Sequence, residues 1–515
     1  MPNLFNNVSK LRPGRSVFDL SYEKKFNCDM GELIPVMCDE VVPGDNFQIS
    51  NELVIRWQPL IKPILHEVNV YVHYFFVPYR LLWDQWEDFI TGGPDGTLEP
   101  VLPRINPIIE ATGEGTLWDY LGYPIKVIPT GALPLAFPTN AYNYIWNEYY
   151  RDQTLQSEGL LTGTNIRYRA WEKDYFTSAL PWQQRNPIAP SLPIVGTSSA
   201  AWEYNDELPV VTANQLAIRV DEASTGNGIG FSNAGDQIYD QFVQALNSNT
   251  VDLSTASSFD IADLREVVQI QKFLERNARV GARYTEFLGA HFGVNPRDSR
   301  LDRPEYIGGT KSPVIISEVL QTSTSGYESS PTSLTPQGNL AGHGITADRN
   351  MVGSYKVEEF GLIMGIMSVM PRPVYQQGMP RQWLRETKYD FYFPEFAHLS
   401  EQAISQAEIY ASNVESENNT LFGYQGKYDE MRVKQNMICG SLRSEADVSL
   451  DYWHLGRNFA AAPILDENFI TTKNSIRKDI FAVPSEKGLI VNFANKIKAV
   501  RPLPAASNPG LMDHF

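Results

Sequence analysis

The sequence is poor in the residues that build most catalytic and metal centres. Its 515 residues hold three cysteines, Cys28, Cys38 and Cys439, and seven histidines. An odd cysteine count at wide spacing gives no disulfide framework and no CxxC metal pair, so the thiols read as free in a reducing compartment. The histidines (His66, His73, His291, His343, His398, His454 and His514) form no close pair of the kind zinc sites use. HExxH and GxSxG are absent. "GNGIG" (226–230) does not complete GxGxxG, and "IGGTKS" (307–312) lacks the first glycine of a phosphate-binding loop. Glu358 and Glu359 are neighbours in sequence only; on a strand they would face opposite ways and could not act as an acid–base pair. No catalytic residue, metal ligand or cofactor site is expected.

Long apolar runs are lacking too. The longest, "FGLIMGIMSVM" (360–370), is far short of the ~20 residues a bilayer span needs. The first residues contain no apolar signal-peptide core. The expectation is a chain made and folded in a cytoplasm without membrane insertion. Bases are outnumbered, 43 Lys and Arg against 60 Asp and Glu, for a net charge of −17. A protein that binds nucleic acid through its whole surface should be basic. Any such contact here must be local, or a basic partner must supply the charge.

What the chain does have is apolar and turn-forming material. It is 43% hydrophobic and 12% aromatic, with 34 prolines and 36 glycines spread along its length. Such punctuation favours short strands with long loops over a helical bundle. Residues 1–30 look extended and mildly basic, five Lys and Arg against three acids. "ELIPVMCDEVV", "PGD" and "NFQISNELVIRW" read as strand, turn and strand over 32–57. Along 68–77 the even positions Val68, Val70, Val72, Tyr74 and Phe76 are apolar and the odd ones mixed, which predicts a strand with one face in a core and the other partly covered. That parity also sets His66 and His73 on opposite faces, away from any shared metal.

Helical spacing follows in "RLLWDQWEDFI" (80–90) and in "NAYNYIWNEYYRDQ" (140–153), the second starting near Thr139 or Asn140. The clearest helical pattern is 261–288. Its Lys272, Arg276, Arg279 and Arg283 form a basic stripe, either a phosphate-facing surface or a solvated face with pairs such as Glu275 and Arg279. Residues 196–262 are Ser-, Asn-, Thr- and Gly-rich, with nine acids and one arginine, and read as an exposed insertion. "SPVIISEVLQT" predicts a strand, 321–351 a loop, "YKVEEFGLIMGIMSVMP" a strand buried on both faces, and 488–504 a late strand. Composition alone also permits a carbohydrate-binding or carbohydrate-active β-sandwich, because aromatic-rich strands suit sugars as well as cores.

Several blocks, in order, resemble the major capsid proteins of the Microviridae, the small icosahedral single-stranded DNA phages, above all their gokushovirus branch. They are "FNCDMGELIPVMCDEVVPGDNFQIS" (26–50), "VHYFFVPYRLLWDQWEDFITG" (72–92), "AYNYIWNEYYRDQ" (141–153), "GARYTEFLGAHFGVNPRDSRLDRPEYIGG" (281–309), "VEEFGLIMGIMSVMPRPVYQQGMPR" (357–381), "LFGYQGKYDEMRVKQNMICGSLR" (421–443) and "LDYWHLGRNF" (450–459), with the terminal "PGLMDHF". The resemblance implies an all-β-dominated fold, an eight-stranded antiparallel jelly roll with very long inter-strand loops holding a few helices. On the order of sixty copies would close a T=1 shell around circular single-stranded DNA.

The implied partners are that DNA, a small basic DNA-binding protein, an internal scaffolding protein, a pilot protein and a host cell-surface receptor. The implied place is the virion, after assembly in the bacterial cytoplasm. On this reading 1–515 is one capsid domain. It has an arm at 1–30, a jelly-roll core over 31–195 and 263–515, and a variable surface insertion at 196–262 that would meet the host. Charge alone nominates Lys10, Arg12, Arg15, Lys496, Lys498 and Arg501 as local DNA contacts.

Overall fold

A computed structural model describes residues 14–106, 109–129, 131–186, 218–219, 230–231, 261–279, 283–294, 297–320 and 340–506. Twelve strands organise it: β1 (Ser16–Asp19), β2 (Tyr22–Cys28), β3 (Ile34–Val41), β4 (Asn46–Trp57), β5 (Val68–Pro78), β6 (Glu305–Pro313), β7 (Ile315–Leu320), β8 (Leu340–Lys356), β9 (Gly361–Pro371), β10 (Glu401–Ser405), β11 (Leu421–Gly426) and β12 (Leu489–Arg501). The first sheet runs β1–β12–β4–β8–β7, with β2 also paired to β12; the second runs β3–β9–β5–β6, and β10 with β11 forms a separate pair. Every one of these pairings is antiparallel. The chain passes from one sheet to the other at β2–β3, β3–β4, β4–β5, β6–β7, β8–β9 and between β9 and β12. Eight strands, β2–β12–β4–β8 facing β3–β9–β5–β6, thus form a jelly roll.

The core follows from strand alternation. Phe47, Ile49, Leu53 and Ile55 of β4, and Val491, Phe493 and Ile497 of β12, meet Val68, Val70, Val72, Tyr74 and Phe76 of β5 between the sheets, each at most 1% exposed. The strand β9 is buried along its whole length, because its other face packs under a second layer. There Phe75, Val77, Leu362, Met364 and Ile366 meet Tyr142, Ile145 and Trp146 from the long excursion after β5.

Three helical expectations need correction. The segment after Pro78 is a single turn followed by a short helix, α1 (Trp86–Thr91), ended by Gly92 in the left-handed region. Tyr79, Trp83 and Trp86 surround the Phe137 ring, so tertiary packing overrides a continuous helix. After α2 (Leu117–Tyr120), α3 (Phe137–Ile145) starts earlier than Thr139, with a proline in its first turn, and runs on into a π-turn, Trp146–Tyr150. The long helix is two: α4 (Ile261–Arg279) and α5 (Tyr284–Phe292), the second opening at Arg283, whose backbone is extended.

Several strands were not anticipated. The polar arm contributes β1 and β2, whereas 340–351, read as loop, and 305–311 belong to β8 and β6.

The chain divides into two compact units, 1–185 with 275–515, and 186–274. All of the architecture above except the first part of α4 lies in the former. The second unit's described residues are Asn186, two short paired strands, Ile218–Arg219 with Gly230–Phe231, and residues 261–274 of α4. Lys10, Arg12 and nearly all of 196–262 lie outside the described residues.

Candidate functional surfaces

Among the described residues, nothing packs across the outward face of the first sheet. Alternation on β12 turns Ile490, Asn492, Lys496 and Lys498 away from the core, and on β4 it does the same for Gln48, Ser50, Glu52, Val54 and Arg56. Register sets Lys496 opposite Ser50 and Lys498 opposite Gln48 on one side and Asp19 on the other. Arg349 of β8 sits opposite Glu52.

Six cations (Lys25, Arg56, Arg349, Lys356, Lys496 and Lys498) share this face with three carboxylates, Asp19, Glu23 and Glu52. Glu52 lies 3.1 Å from Arg349 and 3.7 Å from Lys496, and Glu23 pairs with Lys25 at 2.9 Å. Lys498 and Arg56 form no ion pair among the described residues. A shallow depression of about 800 Å³ runs across this face, lined by Lys496, Lys498, Arg349, Gln48 and Ser50. Sequence reasoning found the two lysines and missed Arg56 and Arg349. Arg56 was legible from the alternation of β4; Arg349 lay in the segment read as loop.

The remaining nominated cations sit elsewhere. Arg501 turns to the other side of β12, where it pairs with the fully buried Asp45 at 2.9 Å and lies 5.8 Å above the Phe47 ring. Its fork is occupied by a structural carboxylate. Arg15 is exposed beside the turn at Gly44.

The basic stripe is divided between two helices. Lys272, Arg276 and Arg279 are exposed on α4, and Arg279 pairs with Glu401 at 2.6 Å. Arg283 stands at the start of α5, where its backbone N–H donates to Glu286 and its guanidinium to the Arg151 carbonyl. The last two arginines therefore act as fasteners within the fold.

The outward face of the second sheet is covered instead. Tyr71 donates to Glu172, and the Arg169 guanidinium stacks 4.3 Å above the Tyr71 ring. His73 Nδ1 lies 2.8 Å from the Tyr150 hydroxyl, with Phe75 and Tyr306 rings beside it. Burial, and secondarily the Arg169 charge, push the His73 imidazole down to about 4, so it is neutral at physiological pH.

His66 lies before β5, outside the strand whose parity was invoked. It bonds the Arg372 carbonyl at 2.7 Å, remote from the partners of His73. Among the described residues no group of three or more His, Cys, Asp or Glu is placed to hold a metal ion. "IGGTKS" lies within β6, not in a loop before a helix, and Glu359 is paired with Arg80 at 2.9 Å. Burial pushes the Cys38 thiol up to about 12 and that of Cys28 well above the ordinary range, which makes both poor nucleophiles.

The profile of a family described as capsid protein (F protein) matches residues 6–511. Capsid protein VP1 of Chlamydia phage 1 is 33% identical, over 99% of this chain and 98% of its own. Capsid protein VP1 of Bdellovibrio phage phiMH2K is 32% identical over the same shares. Capsid protein VP1 of Spiroplasma virus 4 is 32% identical over 94% of this chain and 93% of its own. The chain belongs to the F-type phage capsid protein family and is a major structural capsid protein of the small single-stranded DNA phages.

Proposed function

We propose that this chain assembles as on the order of sixty copies into a T=1 icosahedral shell around circular single-stranded DNA, closed symmetry being the usual outcome for identical subunits. The observation that carries the DNA contact is the open face of the first sheet, where cations outnumber carboxylates on a protein whose net charge is −17. Lys496, Lys498, Arg56 and Arg349 would meet phosphates there, beside the Gln48 and Ser50 side chains. The remaining charge would come from a small basic DNA-binding protein. A scaffolding protein and a pilot protein would take part in assembly in the bacterial cytoplasm, and residues 196–262 would face the host receptor.

The test is the salt dependence of single-stranded DNA binding by the full chain. Each lost phosphate contact lowers the slope of log K against log salt by about 0.7, so Lys496→Ala with Lys498→Ala should reduce it by roughly 1.4. An unchanged slope overturns the assignment of this face. A density map of the intact particle that places 196–262 inside the shell overturns the host-facing role.

A further inference from the structure

Large exposed aromatic side chains are concentrated in one stretch. Trp383 is 73% exposed, Tyr389 58%, Phe391 53%, Tyr392 50% and Phe393 43%. The stretch has almost no regular secondary structure, yet it is held firmly. Arg381 anchors its start, pairing at 2.7 Å with Glu408, whose side chain is 1% exposed, and donating to the Ala403 carbonyl. Thr387 and Asp390 close a turn in which the Thr387 N–H donates to the Asp390 carboxylate at 2.7 Å. Tyr428, 2% exposed, anchors the far side: its hydroxyl donates to the Phe391 carbonyl at 3.0 Å and accepts from the Phe393 N–H. The rings then follow one another outward, Tyr392 against Tyr428, and Tyr389 and Phe393 against Phe396. A backbone pinned at three points with its rings in water is a preformed ridge, which loses little side-chain freedom when something covers it.

We infer that this ridge is a contact between copies: a second copy of the chain covers Trp383, Tyr389, Phe391, Tyr392 and Phe393. The inference rests on the shell reading and names one of its seams. Side chains of about 150–250 Å² each at these exposures leave roughly 500 Å² of aromatic surface in water. That is near the upper end of what a free-standing monomer shows, ~300–600 Å². It is also more than half of the ~800 Å² per partner that a stable interface needs. Aromatic rings of this kind dominate interface energetics.

Charge agrees with the choice of partner. Lys388 lies 5.0 Å from the Tyr389 ring centre, and Lys427 5.0 Å from that of Tyr428. Neither lysine forms an ion pair among the described residues. With the exposed Glu386 and Glu395 on the same stretch, the rim of the ridge carries both signs, which suits a contact between copies of one chain.

Sedimentation velocity and electron microscopy of the purified full chain test this, comparing wild type with Trp383→Ala/Tyr392→Ala. Both side chains are at least half exposed, so circular dichroism and the subunit's unfolding midpoint should stay unchanged. Association should require at least tenfold more protein. Tyr428→Phe, which removes only the hydroxyl anchoring the ridge, should give a smaller shift in the same direction. If wild type forms particles and the double variant does so at the same concentration, the ridge assignment is overturned while the shell reading stands. If wild type forms neither particles nor smaller oligomers, both are overturned. A particle density map that leaves the five rings in solvent or against DNA overturns the ridge alone.

Discussion

The two sheets of the sandwich share one core and differ on their backs. On β4 and β12 buried and exposed residues alternate along most of the length, because the outward side meets water. On β5 and β9 the alternation is gone: β9 is buried throughout, since α3 and the π-turn after it lie across that side. The difference shows that the first part of the excursion after β5, from Tyr79 to Tyr150, is a second wall. It converts one sheet into an interior layer and leaves the other as the subunit's open face.

Three measurements would break or sharpen that contrast. The largest effect is expected where the second wall touches. Met364, fully buried on the outward side of β9, should cost about 2–5 kcal/mol as Met364→Ala in urea unfolding of the dissociated subunit, as a residue between the sheets would. A cost below about 1 kcal/mol would mean that the cover is loosely packed.

A smaller effect concerns pH. His73 has a folded-state value of about 4 against about 6.5 unfolded. The unfolded chain takes up the proton first, so this contribution is present above pH 6.5 and is lost as pH falls towards 4. It amounts to about 2–3 kcal/mol. His73→Phe should flatten the curve by that amount between pH 6.5 and 4; His66, also pushed down by burial, would retain a residual slope of the same sign.

The smallest effect belongs to the open face. Val54→Ala, at an outward position 40% exposed, should change stability by no more than about 0.5 kcal/mol. A larger loss would show that the bare sheet is covered within the subunit after all.

Much of this was legible in the sequence where one physical pattern dominated. The turn at Pro43–Asp45 between β3 and β4, the parity of β5 and the unbroken apolar run of β9 each follow from local chemistry. The misses share a cause: the residue types that hide a strand from its pattern are those that packing demands. At Gly344 of β8 an added Cβ would sit 2.5 Å from the Trp57 ring, and at Gly309 of β6 it would sit 2.7 Å from the His73 ring. Both strands need glycine to pass beneath an aromatic ring, and glycine reads as loop.

Lys24 of β2 misled differently. It points inward, its ammonium donates to the Pro35 and Tyr120 carbonyls, and burial draws its pKa down to about 8. A charged side chain on the inner face made a strand look like a solvated tail. The open face was half legible. Lys496 and Lys498 could be found from charge, but their company with Arg56 and Arg349 depends on register between strands about 300 and roughly 440 residues apart in the chain.

The position of β12 has a consequence for the order of events at the ribosome. This strand, the last in the described chain, lies inside the first sheet, between β4 and the paired β1 and β2. Until residues 489–501 emerge, β2 and β4 have no partner between them, and their inward rows, Phe47 to Trp57 and Phe26 to Cys28, face an unfilled slot. Such long-range pairing is slow to form and leaves strand edges exposed meanwhile. The same strand carries Lys496 and Lys498. A nascent chain cut short of it would lack both the closing strand and those lysines, and β2 and β4 would each keep one edge unpaired.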